Sequence, residues 1–520
     1  MQATVYSGSI VGLDTHLVRV EVDISPGLPA FNIVGLPDAA VQESRERVRS
    51  AVRHAGFDFP VRRITVNLSP ADLRKEGPSF DLPIALGVLA ASGQVPPDSL
   101  GSVVATGELA LDGTARRVRG VLSMVCDLPL LRRETGCDGL ELMIPRDNGA
   151  EAAAVPGVPA GLVRNLAEAA GSLVGRCSLT RPVRGGLEWA VAAAAAPALA
   201  EVDLSDVVGQ YTARRALEVA AAGDHHLLMV GPPGSGKTML AERLPSILPE
   251  LTESEALEVT KIYSVAGLLG EGSGLLRRRP FRSPHHTASD VALVGGGRVP
   301  RPGEISLAHR GVLFLDEVTE FRRSALEVLR QPLVDRRVQI SRAHGTAVFP
   351  ADFSLVATMN PCPCGYRGDG ERDCQCSSMQ VRRYLGRLSG PLLDRIDLHL
   401  EVPRLGLAQL RPSASAESSA TVRERVARAR QLQAARLTGS RTPTNGRMTV
   451  RETQQHCRLG GAEQRMLDGA STAHGLSARG YHGLLRVART LADLSDSAEI
   501  REEHLAEALQ FRALDLSADE

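Results

Sequence analysis

The residues best suited to chemistry in this 520-residue chain are eight in a row: Gly231, Pro232, Pro233, Gly234, Ser235, Gly236, Lys237 and Thr238. They fill the pattern G-x-x-x-x-G-K-[ST] completely, behind the apolar run Leu227–Val230 and ahead of a helical stretch from about Thr238 to Leu244. Glycine lets backbone N–H groups turn inward around phosphate oxygens where a Cβ would obstruct them. Lys237 is placed to reach the outer phosphates of a nucleoside triphosphate, and the Thr238 hydroxyl to bind Mg²⁺. The helix start adds its positive end. A second apolar strand, 311–315, ends on Asp316 and Glu317, 79 residues after Lys237. Asp316 can hold Mg²⁺, and Glu317 can polarise an attacking water. A third strand, 354–359, ends on Asn360.

Directly after Asn360 come Cys362, Cys364, Cys374 and Cys376, half of the eight cysteines. Two C-x-C pairs with nine residues between them can offer four thiolates to one tetrahedral Zn²⁺. Reduced thiols and a redox switch are the alternatives. Residues 273–310 hold Arg277, Arg278, Arg279, Arg282, Arg298, Arg301 and Arg310 against Asp290 and Glu304 only. With the run Gly295–Gly297 this reads as a mobile basic hairpin, or else a solvated loop. The His285–His286 pair has no third ligand spaced nearby, which argues against a metal there.

These residues need strands and helices to place them. At 520 residues the length suits about three domains. Residues 1–172 alternate strand-like and helical runs, with strands near Leu17–Ile24, Ala30–Val34 and Ile64–Leu68 and helices near Ala39–Ala55 and Phe80–Ala91. Residues 173–200 form a linker that becomes Ala-rich. The nucleotide motifs fall in 201–410, a polar linker occupies 411–420, and the rest of 411–520 reads as five helices forming a lid. The expected class is therefore α/β multidomain, with an α/β N-terminal domain, a P-loop core and a C-terminal α-helical lid. Lys+Arg and Asp+Glu are both 60, so overall charge gives no nucleic-acid footprint. No signal peptide and no apolar run of membrane-spanning length is evident, which favours a cytoplasmic protein without membrane contact.

Lys75-Glu76-Gly77-Pro78-Ser79 and Gly107-Glu108-Leu109 resemble the protease domain of Lon, where a Ser in a G-P-S turn pairs with a downstream Lys. Carried forward without gaps, that Lys falls on Leu122, which cannot accept a proton. The resemblance therefore implies a Lon-like but non-proteolytic domain, with Ser79 a structural turn or cap residue. Asp206-Val207-Val208-Gly209-Gln210 resembles the segment that packs near adenine in AAA+ modules. That resemblance assigns Asn360 to positioning the water. Leu392-Leu393-Asp394-Arg395-Ile396-Asp397 resembles an arginine-finger segment, so Arg395 would act on a neighbour's γ-phosphate. Ser477-Ala478-Arg479 is similar to a sensor-2 helix start, with Arg479 touching nucleotide in cis.

Taken together, F-R-S-P-H-H at 281–286, P-G-E-I-S-L-A-H at 302–309 and N-P-C-P-C-G at 360–365 resemble the magnesium-chelatase-like AAA+ ATPases of the YifB/ComM type. The resemblance implies ATP and Mg²⁺ as ligands, a hexameric homo-oligomeric ring, and a motor acting on single-stranded or branched DNA. A chelatase-type or protein-remodelling ATPase without DNA contact stays open.

Overall fold

The structure is a computed structural model that describes residues 1–183, 202–270, 272–297, 300–342, 345–406, 417–440, 443–473 and 475–512. The Ala-rich part of the expected 173–200 linker, Arg298 and most of the polar linker at 411–420 lie outside the described residues.

The N-terminal unit is built on seven strands: β1 (Gln2–Val11), β2 (Asp14–Ser25), β3 (Ala30–Val34), β4 (Arg63–Ser69), β5 (Val103–Ala105), β6 (Glu141–Pro145) and β7 (Ala160–Val163). Their order is β3-β4-β2-β1-β5-β6-β7. β1, β2 and β4 pair antiparallel, and the other neighbours pair parallel. Along β2 the buried residues Val18, Val20, Val22 and Ile24 alternate with more exposed ones, as one covered face requires. Helices α1 (Ala39–His54) and α2 (Asp81–Ala91) cover that face. Every residue of α2 is buried. Its Gly87 lets helix and sheet close up, because a Cβ there would stand 2.6 Å from Val22 Cγ2.

The central unit holds the parallel strands β8 (Leu227–Val230), β9 (Phe281–Arg282), β10 (Val312–Leu315), β11 (Ser354–Met359) and β12 (Leu398–Glu401), in the order β9-β10-β11-β8-β12. β8, β10 and β11 are buried throughout, the pattern of parallel strands covered on both faces. Val230 aligns with Met359 and Leu315 with Ala357. The carboxyl ends of these three strands therefore share one edge of the sheet, where open α/β sheets bind ligands.

Helices α3 (Val121–Thr135), α4 (Tyr211–Gly223), α5 (Lys237–Ile247) and α6 (Glu253–Ala266) come next in use, followed by the C-terminal helices α7 (Ser419–Arg436), α8 (Val450–His456), α9 (Gly461–Ala473), α10 (Ala478–Leu494) and α11 (Glu502–Gln510). One apolar core runs from β8 and α4 through Val422, Val426, Leu484, Leu491 and Phe511, so the C-terminal helices share the central unit's interior. The N-terminal unit docks on α6. Leu122 of α3 clusters with Leu251, Val259, Ile262 and Tyr263, and the Ser264 hydroxyl donates to the buried Glu151 carboxylate at 2.8 Å. Arg117 binds Glu151 at 2.7 Å and the Leu269 carbonyl at 2.7 Å.

One expectation changes here. The arginine-rich tract has the expected antiparallel pairing at its glycine run, but the rest of it is tied into the fold rather than free. Phe281–Arg282 forms the edge strand of the sheet, Asp290–Val294 is helical, and Gly295–Gly296 pairs with Arg301–Pro302. Arg282 binds Glu304 at 2.6 Å, Arg279 faces Glu255 at 3.3 Å, and Arg310 binds Glu258 and Asp352. Glu304 inside the counted window and Glu255, Glu258 and Asp352 outside it thus pair with three of the arginines; Arg277, Arg278 and Arg301 stay exposed. Of the two structural roles expected for Ser79, turn or cap, the structure has the turn. Ser79 lies in the turn Pro78–Phe80, and its carbonyl accepts bonds from Gly107 N and the Thr106 hydroxyl.

Candidate nucleotide site

The phosphate loop spans from the end of β8 to the start of α5. Gly234 and Gly236 have φ of 78° and 90°, the left-handed region that an L side chain resists. Gly231 is required for a different reason: a Cβ there would stand 2.1 Å from the Val402 carbonyl oxygen. The Lys237 ammonium lies inside the loop, donating to the carbonyls of Gly231 at 2.7 Å and Pro232 at 2.9 Å and to Asn360 Oδ1 at 3.3 Å. Burial holds its pKa below the usual lysine value, against the pull of Asp316 and Glu317. The buried Ser235 hydroxyl has no hydrogen-bond partner among the described residues.

Asp316 leaves the end of β10 with both carboxylate oxygens bound. Thr238 Oγ1 donates to Oδ2 at 3.1 Å and Thr358 Oγ1 to Oδ1 at 2.5 Å. The Glu317 amide donates back to Thr358 Oγ1 at 3.0 Å. Glu317 itself sits at φ 49°, and its side chain is exposed. An exposed carboxylate beside a fixed one matches the division between polarising water and holding a cation. The Thr238 and Asp316 oxygens are hard donors that fit Mg²⁺. Gln210, itself at φ 47°, donates to the Pro403 carbonyl at 2.7 Å and reaches Ser235 O at 3.4 Å. The segment 206–210 is thereby tied to the phosphate loop.

Arg395 lies elsewhere. It precedes β12, whose Leu398 aligns with Leu227 at the start of β8, whereas the phosphate loop follows Val230. About 13 Å of strand separates these two edges at ~3.3 Å per residue. Arg395 donates to the Pro391 carbonyl, and burial together with the charge of Arg479 lowers its pKa. Arg479 begins α10 beside it, where Ser477 Oγ donates to Asp394 at 3.1 Å. The two arginines are thus near enough for their charges to act on each other, and among the described residues Arg479 makes no hydrogen bond or ion pair with the phosphate loop of its own chain.

Behind them, Asp397 joins three units of structure. It binds His225 Nδ1 at 3.0 Å and Arg486 at 3.2 Å, while His225 Nε2 lies 2.8 Å from the Thr490 hydroxyl. Burial alone would raise the Asp397 pKa, but Arg486 and His225 hold it well below the carboxylate range.

The four cysteines come together. Cys362 Sγ lies 3.3 Å from Cys364 and 3.6 Å from Cys374, Cys364 lies 3.6 Å from Cys374, and the four sulfurs all fall within 4.8 Å of one another. A sulfur tetrahedron at the Zn–S distance has edges of about 3.8 Å. His285 and His286 stack at 4.1 Å but belong to no larger cluster of ligands among the described residues.

Sequence reasoning missed Thr358, Arg404 and His225. Thr358 carried a readable signal, a hydroxyl two residues before the strand-end Asn inside the otherwise apolar run 355–359.

A phosphate loop, a neighbouring strand ending in Asp-Glu and a polar strand end between them define a P-loop module of the AAA+ ATPase class. The family described as magnesium chelatase, subunit ChlI, matches residues 203–410; its C-terminal family matches 416–512, and the family described as subunit ChlI of Mg-chelatase matches 20–148. The chain is similar to the competence protein ComM of Haemophilus influenzae, 45% identical over 515 residues, 98% of this chain and 97% of that protein. It is 43% identical over 513 residues to YifB of Escherichia coli, again covering 98% and 97%. The magnesium-chelatase 67 kDa subunit of Chlorobaculum parvum is 30% identical over 164 residues, 31% of this chain and 23% of that protein. The chain belongs to the ComM/YifB family of magnesium-chelatase-like AAA+ proteins. No helix among the described residues is long and apolar enough to cross a membrane.

Proposed function

We propose that this chain is a cytoplasmic, Mg²⁺-dependent ATP-hydrolysing motor that works as a hexameric ring on single-stranded or branched DNA, as a helicase or branch-migration enzyme. The observation that carries the hydrolysis reading is the contact set Lys237–Asn360 and Thr238–Asp316–Thr358 on one sheet edge. Lys237 exchanges its loop carbonyls for phosphate oxygens. Thr238 and Asp316 would hold Mg²⁺, which supplies charge neutralisation on the phosphates. Glu317 orients and polarises the water, and Asn360 positions it. Arg395 lies near Arg479 away from the loop of the same chain, which supports both reaching a neighbour's nucleotide rather than Arg479 acting in cis. A head-to-tail contact that repeats in this way closes into a ring. The Lon-like N-terminal unit is non-proteolytic in this reading, because Leu122 is a buried packing residue in the contact with α6. The Cys362, Cys364, Cys374 and Cys376 cluster would take structural zinc.

Support for DNA comes from the similarity to a competence protein and from the exposed Arg323, Arg383 and Arg387, which line one cleft with Glu320 and Phe321. The test compares ATP turnover with and without forked DNA for wild type and Glu317→Gln. DNA-stimulated turnover that Glu317→Gln abolishes is the expected result. Turnover indifferent to every DNA form, with no DNA binding, removes the DNA reading and leaves a chelatase-type or protein-remodelling motor.

A further inference from the structure

The cysteine loop is built against the nucleotide site. Cys362 follows Asn360 by two residues. Gly365, at φ 85° and buried, faces Pro233 of the phosphate loop so closely that a Cβ would stand 2.6 Å from Pro233 Cδ and 3.9 Å from Asn360 Cγ. On the far side of the loop Glu371 binds Arg404 at 3.1 Å, and Arg404 reaches the Pro233 carbonyl at 3.4 Å. Asn360 in turn accepts from Lys237. Residues 360–376 therefore touch the phosphate loop at two points and carry the water-positioning side chain at their root.

We propose that the four thiolates take one Zn²⁺ and that its occupancy sets the rate of ATP hydrolysis, by holding Asn360 and Pro233 in their working positions. The proposal rests on the hydrolysis reading above. Soft thiolate ligands select zinc over the Mg²⁺ that accompanies the nucleotide, so the two ions do not compete for one site. The sulfurs are already 3.3–3.6 Å apart for three of the pairs, short of the tetrahedral edge and far beyond a disulfide bond. An ion here fixes the ends of an otherwise irregular segment of exposed polar residues. Without it nothing ties Cys374 and Cys376 to Cys362 and Cys364, and the loop is free to open from the side that presses on Pro233. Misplacement of reacting groups by about 1 Å can cost up to ~100-fold in rate. Lys237 keeps its Gly231 and Pro232 carbonyl partners and Gln210 lies on the other side of the loop, so the larger effect falls on kcat, through Asn360.

The experiment uses the full chain purified without chelators. Metal analysis is expected to give about one zinc per chain. Zinc is then stripped with a zinc-selective chelator, the chelator is removed, and Mg²⁺ and ATP are supplied. Turnover is expected to fall by about tenfold or more with the nucleotide dissociation constant within about threefold, and to return on adding one equivalent of zinc. Gly365→Ala, which keeps every thiol, should retain zinc and helical content yet lose turnover in the same way; it decides the matter if the stripped chain unfolds. Zinc well below stoichiometric, or iron in its place, overturns the site. Equal turnover with and without zinc, or a full-rate Gly365→Ala protein, overturns the coupling while leaving zinc binding and ATP hydrolysis standing. A zinc-loaded chain that binds nucleotide but never hydrolyses it removes the hydrolysis reading itself, and the coupling with it.

Discussion

Replacing Thr358 by Val isolates the scaffold behind the two acids. Thr358 is fully buried, and Val has nearly the same shape, so no cavity opens. Two bonds are lost: the hydroxyl's donation to Asp316 Oδ1 at 2.5 Å and its acceptance from the Glu317 amide at 3.0 Å. A hydrogen bond to a charged group is worth about 1.5–3 kcal/mol. The second bond also holds Glu317 at φ 49°, a conformation costing about 1 kcal/mol or more for a non-glycine residue. If most of this free energy serves the alignment of Glu317 and Asp316 in the transition state, the barrier rises by about 1.4–2.7 kcal/mol, or ~10–100-fold in kcat. The loop amides and Lys237 remain, so nucleotide affinity should change by less than about threefold. The assay is steady-state turnover at saturating Mg-ATP beside equilibrium binding of a fluorescent nucleotide. Thr358→Ser keeps the hydroxyl and should recover most of the rate. Turnover within twofold of wild type, or a defect confined to binding, would refute the assignment of Thr358 as the residue that positions both acids.

The proximity of Arg395 to Arg479 predicts that Arg395→Ala and Arg479→Ala each lose turnover but keep nucleotide affinity, and that neither is rescued by the other. Mixing either with Glu317→Gln protein should restore some activity, since intact acids then meet intact arginines across a subunit contact; mixtures as dead as their components count against the shared site. Acid should loosen the junction of the central sheet with the C-terminal helices. Burial and Arg447 push the His226 pKa down to about 3, and burial and Arg512 push that of His399 down to about 4. The unfolded chain, with histidine near 6.5, then binds more protons than the folded chain as pH falls below that value. Stability present above pH ~6.5 should drop by about 2 kcal/mol between pH 7 and 5.5 for the two together, read from the urea midpoint; a flat midpoint would contradict neutral burial. Leu122→Ala should cost about 2–5 kcal/mol by emptying the contact between α3 and α6, measured by denaturant unfolding. No peptidase activity on casein is expected in wild type or in Ser79→Ala.

The phosphate loop was legible because its chemistry is local. Gly234, Gly236, Lys237 and Thr238 act through backbone conformation and reach that depend on nearest neighbours. Asp316, Glu317 and Asn360 were legible for a related reason, since a buried parallel strand is a short apolar run and its polar carboxyl end stands out. Thr358 escaped because one hydroxyl in a strand has many bland roles. Only the pairing of β10 with β11 puts it under Asp316. The arginine tract misled because a charge count over a window cannot include Glu255, Glu258 and Asp352, which the fold brings in from outside it.

The sequence by itself determined the family and the three polar strand ends of the candidate nucleotide site. Those are properties of residue type and short spacing. Tertiary structure alone decided that Asp316 is held by two threonines and that the cysteine loop leans on Pro233. Each depends on contacts between residues tens to hundreds of positions apart. The register of β8 against β11 and β12 sets which strand ends share an edge, and no local pattern encodes that register.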